Sequence, residues 1–396
     1  MLIEFARNYA ILGDTAKWEE RTREAYGLLN ELTAEKPDEA EYHRTLSAAR
    51  HELGDVLMTR GRLTEALQVF IDSRTSFERL VHMEPSDPRW LLGLAVSHER
   101  VGDALSAQGQ IAQALQSYRA NLATRKLLAE ADPTDTEWQR DLSVANEKVG
   151  NALITQGSLA EALDSYRASL VITERLAASD PTNVAWQRDL SVGHNKLGEV
   201  LMAQGDLSEA LDGYRRSLAI RQRLAVIDAS NAMWQRDISV AQNKVGDVLA
   251  AQGNLPDALQ AYRDGLVVIE RIANADPGNT ARQRDVSVSH MRIGNVLAAQ
   301  GDPPGALESY RRSLAIAERL AELDRANTEW QRDLAVNYWK AATILAKQGS
   351  PVEALASLHR GREIVAGLRS QYPDNPQFPK DIAEFDAEIA GLETSR

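Results

Sequence analysis

One seven-residue phrase comes back on a fixed step. Trp138-Gln139-Arg140-Asp141-Leu142-Ser143-Val144 recurs with conservative changes at Trp186, Trp234 and Trp330, each a multiple of 48 residues away. The same grid reaches Trp90 and Tyr42 upstream, Arg282 in the middle and Phe378 near the end. A second marker keeps the register without one insertion or deletion: Gly13, Gly61, Gly109, Gly157, Gly205, Gly253, Gly301 and Gly349. Self-similarity on such a period means that each copy hides its apolar face only by stacking on the next. The 396 residues therefore read as one tandem array, although their number would suit two ordinary domains.

Each repeat reads as two helices. Leu142, Val144, Ala145, Val149, Ala152 and Leu153 form an apolar stripe at helical spacing, and Gly157 stands where a helix takes a left-handed C-cap. The next helix starts at once. Ser158 with Glu161, Asp206 with Glu209 and Ser350 with Glu353 fit the capping box, and Pro303 and Pro351 fall in the first turn. Leu159, Ala162, Leu163, Tyr166, Leu170 and Leu176 share a face of this second helix, which stops before Asp180-Pro181. Pro37, Pro85, Pro133, Pro181, Pro277 and Pro373 mark the connections; Ala229 and Arg325 depart from them. Asp87, Asp135, Asn183, Asn231, Asn279, Asn327 and Asn375 then cap the following helix. Nothing reads as a strand, so the fold class is all-α.

These residues resemble the tetratricopeptide repeat. Leu197-Gly198, Leu201, Ala210 and Tyr214 occupy its signature places. The usual period is about 34 residues, so each repeat here is longer by 14. Seven have gone into each helix, about two turns, which returns the apolar stripe to nearly the same face. The resemblance implies a right-handed superhelical solenoid of antiparallel helix pairs. Residues 1–377 are expected to hold eight pairs, the first truncated at its N-terminus, and residues 378–396 a solvating cap helix. A first repeat without its Trp position suggests a fragment of a longer protein, or a start inside a decayed repeat.

Composition narrows the function. Against 45 Lys and Arg stand 57 Asp and Glu, a formal charge of -12, which disfavours nucleic acid and anionic membrane as partners. Cysteine is absent, which excludes thiolate catalysis and Cys-ligated zinc. No apolar run is long enough to span a bilayer. No phosphate-binding, zinc-protease or nucleophile-elbow motif appears. His98, His194 and His290 recur in alternate repeats. With neighbouring helices about 8–10 Å apart, those positions are too distant to share a metal. No enzyme activity, metal or cofactor is expected.

A residue that every repeat keeps serves the scaffold. Arg140, Arg188, Arg236, Arg284 and Arg332 belong to that group and are expected to bond across the inter-repeat turn. So do Gly54, Gly102, Gly150, Gly198, Gly246 and Gly294, replaced by Ala6 and Ala342 in the outer repeats. Their shared small size points to a close helix crossing.

In the family resembled, first helices line a concave face and polar residues near this glycine touch the ligand. Three residues before it stand His51, Glu99, Glu147, Asn195, Asn243, Met291 and Trp339; just after it stand Asp55, Asp103, Asn151, Glu199, Asp247, Asn295 and Thr343. The two rows lie four apart, hence on one face. Lys148, Lys196, Lys244, Arg292 and Lys340 flank them. The candidate ligand surface is thus Glu99, Asp103, Glu147, Asn151, Asn195, Lys196, Glu199, Asn243, Lys244, Asp247, Arg292 and Asn295, expected to take a peptide or protein segment with basic groups. The bland alternative is that these side chains only solvate the groove. The Lys/Asn/Lys/Arg clamp of chaperone-tail-binding relatives is missing. A rival reading is a structural or oligomerisation module of a larger bacterial signalling or defence protein, self-associating through Phe5, Tyr9 and Trp18. A cytoplasmic location is expected.

Overall fold

The computed structural model describes residues 2–36, 39–373 and 375–394; the side chains of Leu2, Ile3 and Phe5, and all of Pro37, lie outside the described residues. Every regular element among the described residues is an α-helix. First helices are α1 (Leu2–Ile11), α3 (Ala40–Thr59), α5 (Pro88–Ala107), α7 (Thr136–Gln156), α9 (Val184–Gln204), α11 (Ala232–Ala251), α13 (Thr280–Ala299) and α15 (Thr328–Lys347). Their second helices are α2 (Thr15–Glu35), α4 (Leu63–Met83), α6 (Ile111–Ala131), α8 (Leu159–Ser179), α10 (Leu207–Ile227), α12 (Leu255–Ala275), α14 (Pro303–Leu323) and α16 (Pro351–Gln371). α17 (Gln377–Thr394) closes the series. None is long and apolar enough to cross a membrane.

The helices group into two compact halves, Met1–Gln204 and Gly205–Arg396. Within each, packing follows chain order: α5 lies on α6, α6 on α7, and so on, as a solenoid requires. The core of the first half is a continuous run of small and branched residues, including Leu53, Val101, Val149 and Val200, with Phe70, Tyr118 and Tyr166 wedged between helices.

Glycine makes the hairpins. All eight grid glycines have positive φ, from 72° at Gly61 to 88° at Gly157, where a Cβ is strained. At Gly157 the amide donates to Ile154 O and the next amide to Leu153 O, both at 2.9 Å, the Schellman pattern that satisfies a helix's last carbonyls. The second helix then begins at once. Asp206 and Asp302 accept from the third amide ahead, Glu209 and Gly305. Ser158 and Ser350 make no such bond, unlike the capping box expected there. The cap residue has ψ near 60–66°, not extended, and the serine hydroxyl, one bond shorter than an Asp or Asn side chain, falls short.

The returning turn is closed by an aspartate that the sequence places before the Pro position. Asp132 accepts from the Thr134 amide (2.9 Å) and hydroxyl (2.6 Å), and Asp180 does the same with Thr182. Those bonds hold both carboxyls below the usual aspartate range. The Asp/Asn caps all bond as expected, from Asp87 to Asn375.

Candidate functional site

The glycine within each first helix is there for a ring. A Cβ on Gly54 would stand 2.1 Å from Phe70 Cε1; on Gly102, Gly246 and Gly294 it would meet Tyr118, Tyr262 and Tyr310 at 2.6 Å. The close crossing expected of these small residues is a helix lying against an aromatic face sixteen residues ahead. Where the grid has Ala6 or Ala342, the residue sixteen ahead is Thr22 or Leu358, with no ring to admit.

That ring consumes part of the candidate surface. Tyr118 Oη donates to Asp103 (2.7 Å), Tyr166 to Asn151 (2.7 Å), Tyr262 to Asp247 (2.7 Å) and Tyr310 to Asn295 (2.8 Å). Burial pushes the Tyr310 phenol up to about 12. A cation from the next repeat completes the clip: Lys148 Nζ lies 2.7 Å from Asp103 and 3.7 Å from Glu99, and Arg292 Nε lies 2.9 Å from Asp247. The row after the glycine thus fastens second helix and next repeat first of all. With Asp103 and Asp247 answered internally, the argument for basic groups on a ligand loses its main support there.

The row before the glycine sinks between helices. Asn243 is 8% exposed, its Nδ2 3.3 Å from Ser289 Oγ and its Oδ1 without a partner. Half-buried Glu147 accepts from Ser169 (3.2 Å), and desolvation raises its pKa. Asn195 donates to Glu199 (3.2 Å), which also faces Lys196 at 3.4 Å, while Asn195 Oδ1 is buried and unpartnered. Lys244 lies over the Tyr214 ring. Glu99, Asp103 and Lys148 come together on α5 and α7, Asn195, Lys196 and Glu199 on α9, and Asp247 and Arg292 on α11 and α13.

The Trp-Gln-Arg-Asp phrase bonds along the stack. Arg140 pairs not with its neighbour Asp141 but with Asp189 of the next repeat (2.6 Å); Arg236–Asp285 (2.5 Å), Arg284–Asp333 (2.6 Å) and Arg332–Asp381 (3.2 Å) repeat the rung. The glutamine beside it ties three helices: Gln139 donates to Ala129 O (3.1 Å) and accepts from Arg175.

Between the rungs lies a row that sequence reasoning misjudged. Val96, Val144, Val192, Val240, Val288 and Val336 share one grid position with Ala48. Val144, assigned above to the buried stripe, is 36% exposed, and none of the other five is buried. Each stands four residues after the rung arginine position and four before the flanking cation, so all share a face.

The histidines are structural. Desolvation lowers His98 and His290 to about 4, so both are neutral near pH 7. No cluster among the described residues holds ligands for a metal. Trp18 is half-buried against the core, its indole donating to Glu52 (3.0 Å), so it is not part of an exposed patch. Phe5, named with it, has a side chain outside the described residues.

A tetratricopeptide repeat family model matches residues 195–228 and 291–324. The chain is similar to that family in these two repeats, and its array of helix pairs is consistent with it. The fold has solved counterparts at low identity. RapI in its apo form aligns over 87% of each chain at 14% identity with TM-score 0.56. BtubC (BKLC) from P. vanneervenii aligns over 67% of this chain and 94% of its own at 16% identity, with TM-score 0.52. No curated protein matches the sequence.

Proposed function

We propose that this chain is a protein- or peptide-binding scaffold of the tetratricopeptide-repeat type, whose ligand lies along the face made by successive first helices, the concave face in that family's geometry. The observation that carries this reading is the valine row. Valine is a mediocre helix former, it recurs in register through six repeats, and no repeat buries it. A row of small apolar contacts between Arg–Asp rungs and flanking cations suits an extended segment: apolar contact for its side chains, fixed dipoles for its backbone. Of the candidate residues, Glu99, Asn151, Asn195, Lys196, Glu199, Lys244 and Asn295 remain at the edge of that face. Non-catalytic action, a cytoplasmic site of work and attachment to a larger bacterial signalling or defence protein belong to the same proposal and rest on family resemblance alone. So does the division into an array over 1–377 and a cap within 378–396, supported by the charged exposed face of α17: Lys380, Glu384 and Glu388.

The test is selection of a random dodecapeptide display library on the full chain. Enriched peptides should lose binding to a Val144→Lys/Val192→Lys variant and keep it to Val171→Lys, whose parent residue is 66% exposed on a second helix. Binding that survives the first variant and fails in the second places the ligand elsewhere.

A second reading, self-association through the first repeat, is favoured by Ile11 and Leu12, 83% and 76% exposed at the end of α1. It calls for a concentration-dependent dimer by light scattering that Ile11→Lys/Leu12→Lys abolishes.

A further inference from the structure

The valine row and the row of flanking cations both end in glutamate. A step of 48 residues leads from Val336 to Glu384 and from Lys340 to Glu388, both on α17. Across that step the first-helix face loses an apolar contact and a positive charge and gains two carboxylates. Both are exposed, and neither has a hydrogen-bond or ion-pair partner among the described residues. The cations near them are engaged or out of reach. Arg332 pairs with Asp381 at 3.2 Å, and Gln377 donates to the same aspartate at 2.7 Å. Lys340 lies over the Trp339 ring, 5.8 Å from its centroid, and Lys380, four residues before Glu384, forms no ion pair with it.

A cavity opens beside Glu384. Phe385 stands where earlier repeats have Ala145, Gly193, Ala241, Ser289 and Asn337. Its ring is 5% exposed and lies over Gly361, where a Cβ would stand 2.6 Å from its Cε1; its centroid is 6.4 Å from that of Trp339. A ring at a position that most repeats keep small spaces α17 from α15, and a hollow of about 160 Å³ remains between them. Ala335 and Val365, both 1% exposed, form its floor, and Val336, Trp339 and Phe385 its walls. The Trp339 indole N–H is buried and has no acceptor, a second sign that the packing here is incomplete. With Arg332 and Asp381 answering each other at the rim, Glu384 is the one lining charge that the fold leaves unanswered, and it is negative.

We propose that this hollow is the terminal subsite of the first-helix face, taking a lysine or arginine side chain of a bound peptide, its stem against Val336, Trp339 and Phe385 and its cationic head on Glu384. The proposal rests on the reading of that face as the ligand surface, and it adds the ligand's chemistry at one end. Size follows from the hollow. A cavity of about 150 Å³ holds one benzene molecule, and small-molecule sites start at about 300 Å³, so one side chain fits and a metabolite does not. Sign follows from the rim. An acidic occupant would set another carboxylate beside Glu384 and Glu388, and an apolar one would leave Glu384 as it is, unpaired. A long basic side chain meets both demands, because its methylenes bury along apolar surface while its charge stays at the rim.

The same dodecapeptide library provides the probe, with parallel selections on the full parent chain, Val336→Lys and Glu384→Lys. Peptides that bind the parent and fail on Val336→Lys should carry a lysine or arginine. Replacing that residue by norleucine, which keeps the stem and drops the charge, should weaken binding by about tenfold. Selection on Glu384→Lys, a change at an exposed position, should exchange the basic residue for aspartate or glutamate, a reversal that loss of folding cannot mimic. Peptides sensitive to Val336→Lys that lack a basic residue, or that ignore Glu384→Lys, overturn the subsite, and so does the absence of any peptide sensitive to Val336→Lys. In each of those cases binding lost on Val144→Lys/Val192→Lys leaves the scaffold reading standing. A library that yields no binder on the parent chain overturns both.

Discussion

Glycine and tyrosine, sixteen residues apart, act as one device. Gly246 lets the Tyr262 ring lie on the backbone of α11, and the phenol then reaches Asp247 at 2.7 Å. A methyl at Gly246 would sit 2.6 Å from ring carbon, so Gly246→Ala should destabilise the chain by about 1–3 kcal/mol through overpacking. The protein carries the alternative solution at Ala342 and Leu358. Gly246→Ala with Tyr262→Leu should therefore cost less than the two single changes summed. A urea-unfolding double-mutant cycle with zero coupling would show that the ring is not the reason for the glycine. A second residue-scale effect concerns pH. Burial raises Asp55 to about 6 from an ordinary 3.8, against the pull of Arg100 at 3.2 Å. The folded state therefore holds its proton more tightly than the unfolded chain. The contribution of Asp55 to stability is fully present below the unfolded value and is lost as pH rises through 6. His98, lowered to about 4, behaves oppositely: its contribution is present above its unfolded value and is lost as pH falls through the folded one. Asp55→Asn should accordingly raise the melting temperature more at about pH 7.5 than at about pH 4. An equal effect at both would mean that Asp55 is solvated like a surface acid.

Helix order, hairpin glycines and caps were legible because each has a local cause: apolar period, positive φ, an Asx side chain before the first turn. The contacts between elements were legible only in part. The Arg140–Asp189 rung spans 49 residues; the recurrence of Arg140 implies a bond across the inter-repeat turn without naming this partner. The glycine–aromatic pairing is visible as well, since Ala6 and Ala342 coincide with Thr22 and Leu358. Val144 was placed in the buried stripe because periodicity marks a side of a helix without saying where its neighbours end. Nor does spacing show that Asp103 and Asp247 are already bonded to tyrosine and a cation. At this scale the repeated phrase divides its work unequally. Arg140 and Asp189 are 46% and 26% exposed, and pairs of that kind contribute about 0–1 kcal/mol. Gln139 is 6% exposed and satisfies both the Ala129 carbonyl and Arg175. Gln139→Ala leaves the carbonyl of buried Ala129 without that partner, at about 1–3 kcal/mol. We expect it to lower stability more than Arg140→Ala does in denaturant titration; the reverse order would make the ladder the stronger tie.

Because within each half every helix packs on its neighbours in the chain, a defect there has few routes by which to spread. Phe70 is 1% exposed in α4, against Gly54 of α3, and belongs to the core of the first half. Truncation to alanine removes a ring the size of a benzene molecule and should cost about 3–5 kcal/mol locally. In a globular domain with one shared core that loss would lower the opening free energy of every amide alike. In a stack, amides open in contiguous groups, and each group's protection reflects its own interfaces. Hydrogen exchange on the full-length Phe70→Ala chain should therefore show lost protection in α3 to α6 and parent-like protection in α13 to α16. Melting should be broadened or split rather than simply shifted. Equal loss in both halves would mean that the 48-residue step is a pattern of sequence and not a mechanical one, and the ligand face built on it would lose its foundation. The same locality lets one repeat set Phe77 against Gly93 where the next pairs Arg125 with Asp141. Arg140–Asp189 and Arg236–Asp285 keep their rungs, so the array can change a contact surface locally without re-solving its fold.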